Sequence, residues 1–217
     1  RSWRKDVYEP YKKNRKVVLD KRSPAEQEED QYWWEAYDDL LDFLKEQTNC
    51  SAIRSSIAEA DDVIALWVEA HKDSKNIIVS TDSDFYQLIN PTVSLYNGMT
   101  NQVITINGFY DESDNPVIDK KTNQPKTAPD PEYLLFEKCI RGDSSDNVFT
   151  AFPKVRKTKI KEAFDDRHNQ GFVWNNFMLS KWVDHNGNDM VVKECYERNK
   201  QLVDLSQQPD EVRTNIL

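Results

Sequence analysis

The run Asn76-Ile-Ile-Val-Ser80 constrains this 217-residue chain more than any other stretch. Consecutive β-branched residues bounded by polar ones predict a strand buried on both faces, as in a parallel sheet. Ahead of it, Glu59-Ala-Asp-Asp-Val-Ile-Ala-Leu-Trp-Val predicts a helix whose first acids suit the positive end of its dipole. A helix running into a buried strand is an α/β unit. Residues 93–96 and 103–106, on either side of Asn-Gly-Met-Thr-Asn-Gln, predict a hairpin. Residues 111–130 read as a loop, and Pro131 after a capping Asp130 opens a helix that Gly142 ends. Beyond that glycine the chain reads as helical, with loops at 165–171 and 185–188.

Earlier in the chain, Trp33, Trp34, Tyr37, Leu40, Leu41 and Leu44 fall on one side of a helix with acids opposite. That amphipathic pattern predicts an apolar side turned to the core. The longest apolar run, residues 63–68, is far below the roughly 20 residues a membrane-spanning helix needs. A soluble protein is expected. Cys50, Cys139 and Cys195 are too far apart for a disulfide framework or a zinc site, which points to a reducing cytoplasm. His71, His168 and His185 share no ligand spacing.

A net charge of −9 argues superficially against a nucleic-acid partner, but the charge is unevenly placed. Residues 1–22 carry nine Lys and Arg against three acids, interleaved with Trp3, Tyr8 and Tyr11. Residues 24–50 carry nine acids against Lys45 alone, a solvated face. A second basic run follows at Lys154-Val-Arg-Lys-Thr-Lys-Ile-Lys161. Phosphate neutralisation beside aromatic surfaces is how single strands are held.

Three acidic clusters sit where regular elements begin or end: Glu59/Asp61/Asp62, Asp82/Asp84 and Asp143/Asp146. Ligand crevices of open α/β sheets lie beyond the carboxyl ends of the strands, where Asp82 and Asp84 follow the β-branched run. All-oxygen donors select a hard cation, Mg²⁺ or Mn²⁺. Two such ions about 4 Å apart activate water and stabilise the leaving oxygen of a phosphodiester. Asp82 and Asp84 alone are equally readable as a cap and turn.

Trp3-Arg-Lys with Tyr11-Lys-Lys-Asn-Arg15, Ala58-Glu-Ala-Asp-Asp62, Ser80-Thr-Asp-Ser-Asp-Phe85 and Gly142-Asp-Ser-Ser-Asp-Asn147 together resemble, in order and spacing, the phage branch of the flap endonuclease / 5′ nuclease family. The resemblance implies a PIN-like α/β fold with a mainly parallel central sheet flanked by helices. Residues 1–147 would form the nuclease part, with 1–22 as a basic arch segment. Residues 148–217 would form a helical DNA-binding region containing a helix-three-turn-helix-like element. In that family further metal-binding aspartates lie on a first strand and just upstream of the arch, and this sequence begins after both.

The resemblance further implies a two-metal site. Glu59, Asp61, Asp82 and Asp84 would hold an inner ion and Asp62, Asp143 and Asp146 an outer one. Lys12 and Arg15 would contact the scissile phosphate as catalytic residues, Tyr11 would stack on a base, and Arg4, Lys5 and Lys13 would be weaker phosphate contacts. Where relatives carry a glycine hairpin, this chain has Phe152-Pro-Lys-Val-Arg-Lys-Thr-Lys159, which passes the duplex contact to Lys154, Arg156, Lys157 and Lys159. The implied activity is 5′-3′ exonuclease and flap endonuclease with ribonuclease H activity, removing RNA primers during replication. Its substrates would be RNA:DNA hybrids and flapped or forked DNA, cut by a monomer in a host cytoplasm. A single-strand-binding protein or sliding clamp would be the protein partner, and no membrane is involved. The alternative is a structure-specific DNA-binding fragment without turnover.

Overall fold

The computed structural model describes residues 2–216. Short helices α1 (Arg4–Val7) and α2 (Lys13–Leu19) precede the long α3 (Pro24–Gln47). After α4 (Ala60–Ala70) and β1 (Asn76–Val79), a 3-10 helix (Ser83–Leu88) leads to β2 (Val93–Asn97), β3 (Gln102–Thr105) and β4 (Gly108–Tyr110). A minor hairpin, β5 (Ile118–Asp119) and β6 (Gln124–Pro125), interrupts the stretch expected to be loop. Then come α5 (Pro131–Arg141), α6 (Lys157–Asp166), α7 (Phe172–Met178), β7 (Lys181–Val183), β8 (Asp189–Val191), α8 (Val192–Val203) and α9 (Asp210–Ile216). The antiparallel β7–β8 pair lies where the sequence reads as helix and loop. No helix among the described residues is long and apolar enough to cross a membrane.

The four-stranded sheet has the order β1-β2-β3-β4. β1 runs parallel to β2, with Ile78 opposite Leu95, while β2, β3 and β4 are successively antiparallel. The α/β class is as the sequence predicts, but the sheet is mixed. Asn97 shapes the β2–β3 turn, its Oδ1 accepting from the Met99 and Thr100 amides at 3.0 and 3.2 Å.

One core lies between α4 and the sheet, joining Ala65 and Val68 to Ile78, Phe85, Leu95, Ile104 and Phe109. β1 is covered on one face only: Ile78 is buried, whereas Ile77 and Val79 are 67% and 72% exposed. The expectation of a strand buried on both faces is therefore corrected. β1 forms an edge of this sheet, and β-branching favours the extended backbone whether one layer covers it or two.

A second correction concerns α3. Pro24 and the Ser23/Glu26 capping box start it, with the Ser23 amide donating to Glu26 Oε2 at 2.7 Å. Yet none of its residues is buried, and Trp33 and Trp34 are 65% and 61% exposed. Periodicity established the helix and its apolar side, but not that anything covers that side.

A second core packs Phe136 and Ile140 of α5 against Ile160 and Phe164 of α6, Phe177 of α7 and Cys195 of α8. Helix α5 thus shares its core with the C-terminal helices, although it precedes the boundary expected at 147. Between the two cores, Tyr11, Cys139, Val148, Leu202 and Val203 form a smaller cluster that fixes the N-terminal segment. Buried Asn199 stitches the same region, its Nδ2 donating to the carbonyls of Cys139 and Phe149 at 2.8 Å each.

Candidate active site

At the C-terminal end of β1 a cleft of about 790 Å³ opens between α4, the 3-10 helix and the loop after α5. Glu59, Asp61, Asp82, Asp84, Asp143 and Asp146 line it, together with Lys12, Arg15 and Lys138. Three distant stretches of sequence therefore deliver carboxylates to one pocket. None of its lining residues is His or Cys.

Local sequence explains each placement. Glu59 stands at the cap of α4, where its amide donates to Asp62 Oδ2 at 3.1 Å. Asp82 caps the 3-10 helix by accepting the Asp84 amide at 2.9 Å, so the cap reading of this pair is realised without removing either side chain from the cleft. Gly142 ends α5 with φ of +75°, and a Cβ there would stand 2.4 Å from the Val148 carbonyl oxygen. Only glycine admits this turn. The loop then closes on itself through Asp143 N to Val148 O at 2.8 Å and Val148 N to Asp143 O at 2.7 Å.

The basic segment docks on that loop by its backbone. The Lys12 amide donates to the Asp146 carbonyl at 2.8 Å, and Asn147 Nδ2 donates to the Pro10 carbonyl at 2.7 Å. Lys12 Nζ reaches Glu59 Oε1 at 2.7 Å and stands 3.6 Å from Asp146 Oδ2. Arg15 donates to Asp146 Oδ1 at 2.6 Å. Both cations expected at the scissile phosphate thus stand among the acids.

Three expected contacts are corrected. Arg4 is no surface phosphate contact: it is 1% exposed, bonded to both oxygens of Asp62 at 2.7 and 2.8 Å and to the Leu202 carbonyl at 2.8 Å. Asp62 is fully buried, takes a further bond from Trp3 Nε1 at 3.2 Å, and does not line the cleft, so it is no ligand to a cation there. Tyr11 is 2% exposed and packed in the small cluster, with its hydroxyl 2.8 Å from Glu59 and 3.1 Å from Asp146. It orients those carboxylates instead of presenting a ring to a base. An aromatic–basic alternation in sequence does not separate side chains that serve a buried network from those that meet a ligand.

Lys5 and Lys13 are exposed, Lys13 beside Glu9 at 2.7 Å. Lys154, Arg156, Lys157 and Lys159 are exposed ahead of and along the first turn of α6, outside the cleft lining. Lys157 lies 3.3 Å from Glu137, and Lys159 lies over the Phe152 ring.

Lys138 was not singled out by sequence, where it is one more base on the polar side of a helix. It projects from the last turn of α5 between Asp84, in a very short contact, and Asp143 Oδ2 at 2.8 Å. Burial lowers its pKa, but bonds to Asp143 and Asp84 outweigh this and raise it. Burial pushes Asp143 up, while Lys138 and Ser145 overcome that and hold it down at about 2. Asp84 is raised, because burial exceeds the opposing effect of Lys138. Asp61 is raised to about 6 by burial against the attraction of Arg4, with Asp62 and Glu59 adding repulsion.

The lining chemistry fits a hard divalent cation, since six carboxylates face one opening. As placed, no three His, Cys, Asp or Glu side chains among the described residues converge to grip an ion. Lys12, Arg15 and Lys138 pair with four of the six from within, Glu59, Asp84, Asp143 and Asp146.

Comparisons with known proteins bear on the fold and the family. The bacteriophage T5 D15 protein co-crystallised with metal ions superposes with a TM-score of 0.67 at 20% identity, covering 99% of this chain and 78% of that one. A complex of the T5 D15 flap endonuclease with DNA and metal ions gives 0.65 at 20% identity, covering 98% and 76%. The flap endonuclease Xni of Shewanella loihica is 38% identical over 109 residues, 48% of this chain and 37% of that protein. DNA polymerase I of Rhizobium leguminosarum is 30% identical over 153 residues, 68% of this chain and 12% of that protein. The chain therefore spans about a third or less of the length of these sequence relatives. The family model described as 5′-3′ exonuclease, N-terminal resolvase-like domain, matches residues 1–115, and on that match the chain belongs to the 5′-3′ exonuclease family of nucleases.

Proposed function

We propose that this chain carries the active site of a metal-dependent 5′-3′ exonuclease and flap endonuclease with ribonuclease H activity. Its substrates are RNA:DNA hybrids and flapped or forked DNA, and its task is RNA primer removal in replication. One observation carries the reading: carboxylates from three distant stretches share a cleft with Lys12 and Arg15. Glu59, Asp61, Asp82 and Asp84 on one side and Asp143 and Asp146 on the other would hold two Mg²⁺ or Mn²⁺ ions. When bound, such ions supply an activated water and stabilise the leaving oxygen.

The chain's own residues do the rest. Lys12 and Arg15, now held by Glu59 and Asp146, offer donors to the non-bridging oxygens of a phosphodiester entering the cleft. Charge that grows on those oxygens toward the transition state strengthens these contacts more than ground-state binding does. Tyr11 keeps Glu59 and Asp146 oriented from behind. Division of labour follows the chain, residues 1–147 supplying the chemistry and 148–217 the duplex contacts through Lys154, Arg156, Lys157 and Lys159. The setting is the cytoplasm of a host cell, with a single-strand-binding protein or sliding clamp alongside.

A second reading, structure-specific DNA binding without turnover, is favoured by the way Lys12, Arg15 and Lys138 already pair with four of the six acids. One experiment separates them. A labelled flapped duplex and an RNA:DNA hybrid, incubated with Mg²⁺ and the full-length protein, are cut near the junction or from the 5′ end. Asp84→Ala abolishes cutting and retains binding. Equal cleavage by Asp84→Ala contradicts the assignment, and binding without any cutting by the unaltered protein supports the second reading.

A further inference from the structure

Lys138 is the one cation of the cleft that the proposed function leaves without a part. Its stem rises from the last turn of α5, four residues ahead of Gly142. The positive-φ turn at Gly142 fixes where Asp143 stands relative to that stem. On the opposite wall, the Asp82 cap fixes Asp84. The ammonium therefore spans the cleft between two rigid anchors, bonding Asp143 Oδ2 at 2.8 Å and Asp84 Oδ1 in a still shorter contact. The side chain is only 26% exposed, so water screens these contacts weakly.

We propose that Lys138 is a resident counter-ion that competes with the divalent cation for Asp84 and Asp143. It holds the two walls together when no cation is bound and withdraws when one arrives. The inference rests on the reading that these carboxylates hold a cation. A carboxylate oxygen bonded to an ammonium has lost much of its capacity for a divalent ion, and two positive charges a few ångströms apart repel strongly in a half-buried site. Lys138 is accordingly a positioning residue that sets the strength of cation binding.

The test is Mn²⁺ binding by calorimetry, with thermal unfolding measured with and without Mn²⁺, on the full-length protein and three variants. Lys138→Met keeps the length of the stem and removes the charge. It is expected to bind Mn²⁺ roughly tenfold more tightly, to melt lower without Mn²⁺, and to gain more from its addition. Lys138→Arg keeps the charge and is expected to bind Mn²⁺ as the unaltered protein does. A merely structural lysine would lower melting and cation affinity together. Unchanged or weaker Mn²⁺ binding by Lys138→Met, while Asp84→Asn loses binding, overturns this inference alone. Equal Mn²⁺ binding by the unaltered protein and Asp84→Asn, or none by any of the four, removes the metal reading and this inference with it.

Discussion

Arg4 holds Asp62 through both terminal guanidinium nitrogens, at 2.7 and 2.8 Å, with both side chains closed off from solvent. The pair fastens α1 to the first turn of α4, and a further bond from Arg4 to the Leu202 carbonyl adds the end of α8. It is the inner support of the cleft, since Glu59 and Asp61 lie within the three residues ahead of Asp62 in the chain. Breaking one partner strands a buried charge, which costs about 3–5 kcal/mol. Urea unfolding of Arg4→Met or Asp62→Ala is expected to show that loss. A double replacement by apolar residues of similar size is expected to recover much of it.

Lys12 and Arg15 belong to the cleft and Lys13, between them in sequence, does not. Lys12→Met and Arg15→Met are each expected to slow cleavage about 10²-fold at saturating substrate, with a smaller change in binding. Lys13→Met is expected to leave the rate within about twofold, because its ammonium is exposed and paired with Glu9. Single-turnover cleavage checks all three.

Asp61 gives a pH signature. Its carboxyl is raised to about 6 in the folded chain against a reference near 3.8. Between those values the folded chain keeps a proton that the unfolded chain releases, so this group lowers stability as pH rises from about 4 to 6. Asp61→Asn is expected to be more stable than the unaltered protein by about 3 kcal/mol at pH 7 without divalent ions, and no more stable near pH 3.5. Denaturant titrations at the two pH values measure the difference.

The aromatic side of α3 faces solvent along its length. Trp33→Ser and Trp34→Ser are expected to change unfolding free energy by less than about 0.5 kcal/mol, in contrast to the several kcal/mol lost by Phe136→Ala in the second core. Parallel melts of the three variants check this.

Much of the fold was legible because local chemistry set it. The Asn97 turn and the Asp130-Pro131 start each satisfy backbone groups within a few residues. The gathering of six acids was legible for a related reason: each cluster borders an element end, and such ends meet at one side of an α/β sheet. What escaped were facts of tertiary packing. β1 keeps one face open and α3 keeps its apolar side open, because periodicity records which side is apolar and not what lies against it. Arg4 and Tyr11 turned inward among bases and aromatics of the same composition that stayed outside. Lys138 became visible only when α5 set it between two aspartates far away in the chain.

Anomalous diffraction from crystals soaked in Mn²⁺ decides whether this cleft is a divalent cation centre. Anomalous peaks are expected inside the cleft beside Asp84 and Asp143, with the Lys138 ammonium withdrawn from both. Peaks only elsewhere on the molecule, with Lys138 still bridging the two aspartates at saturating Mn²⁺, would contradict that assignment.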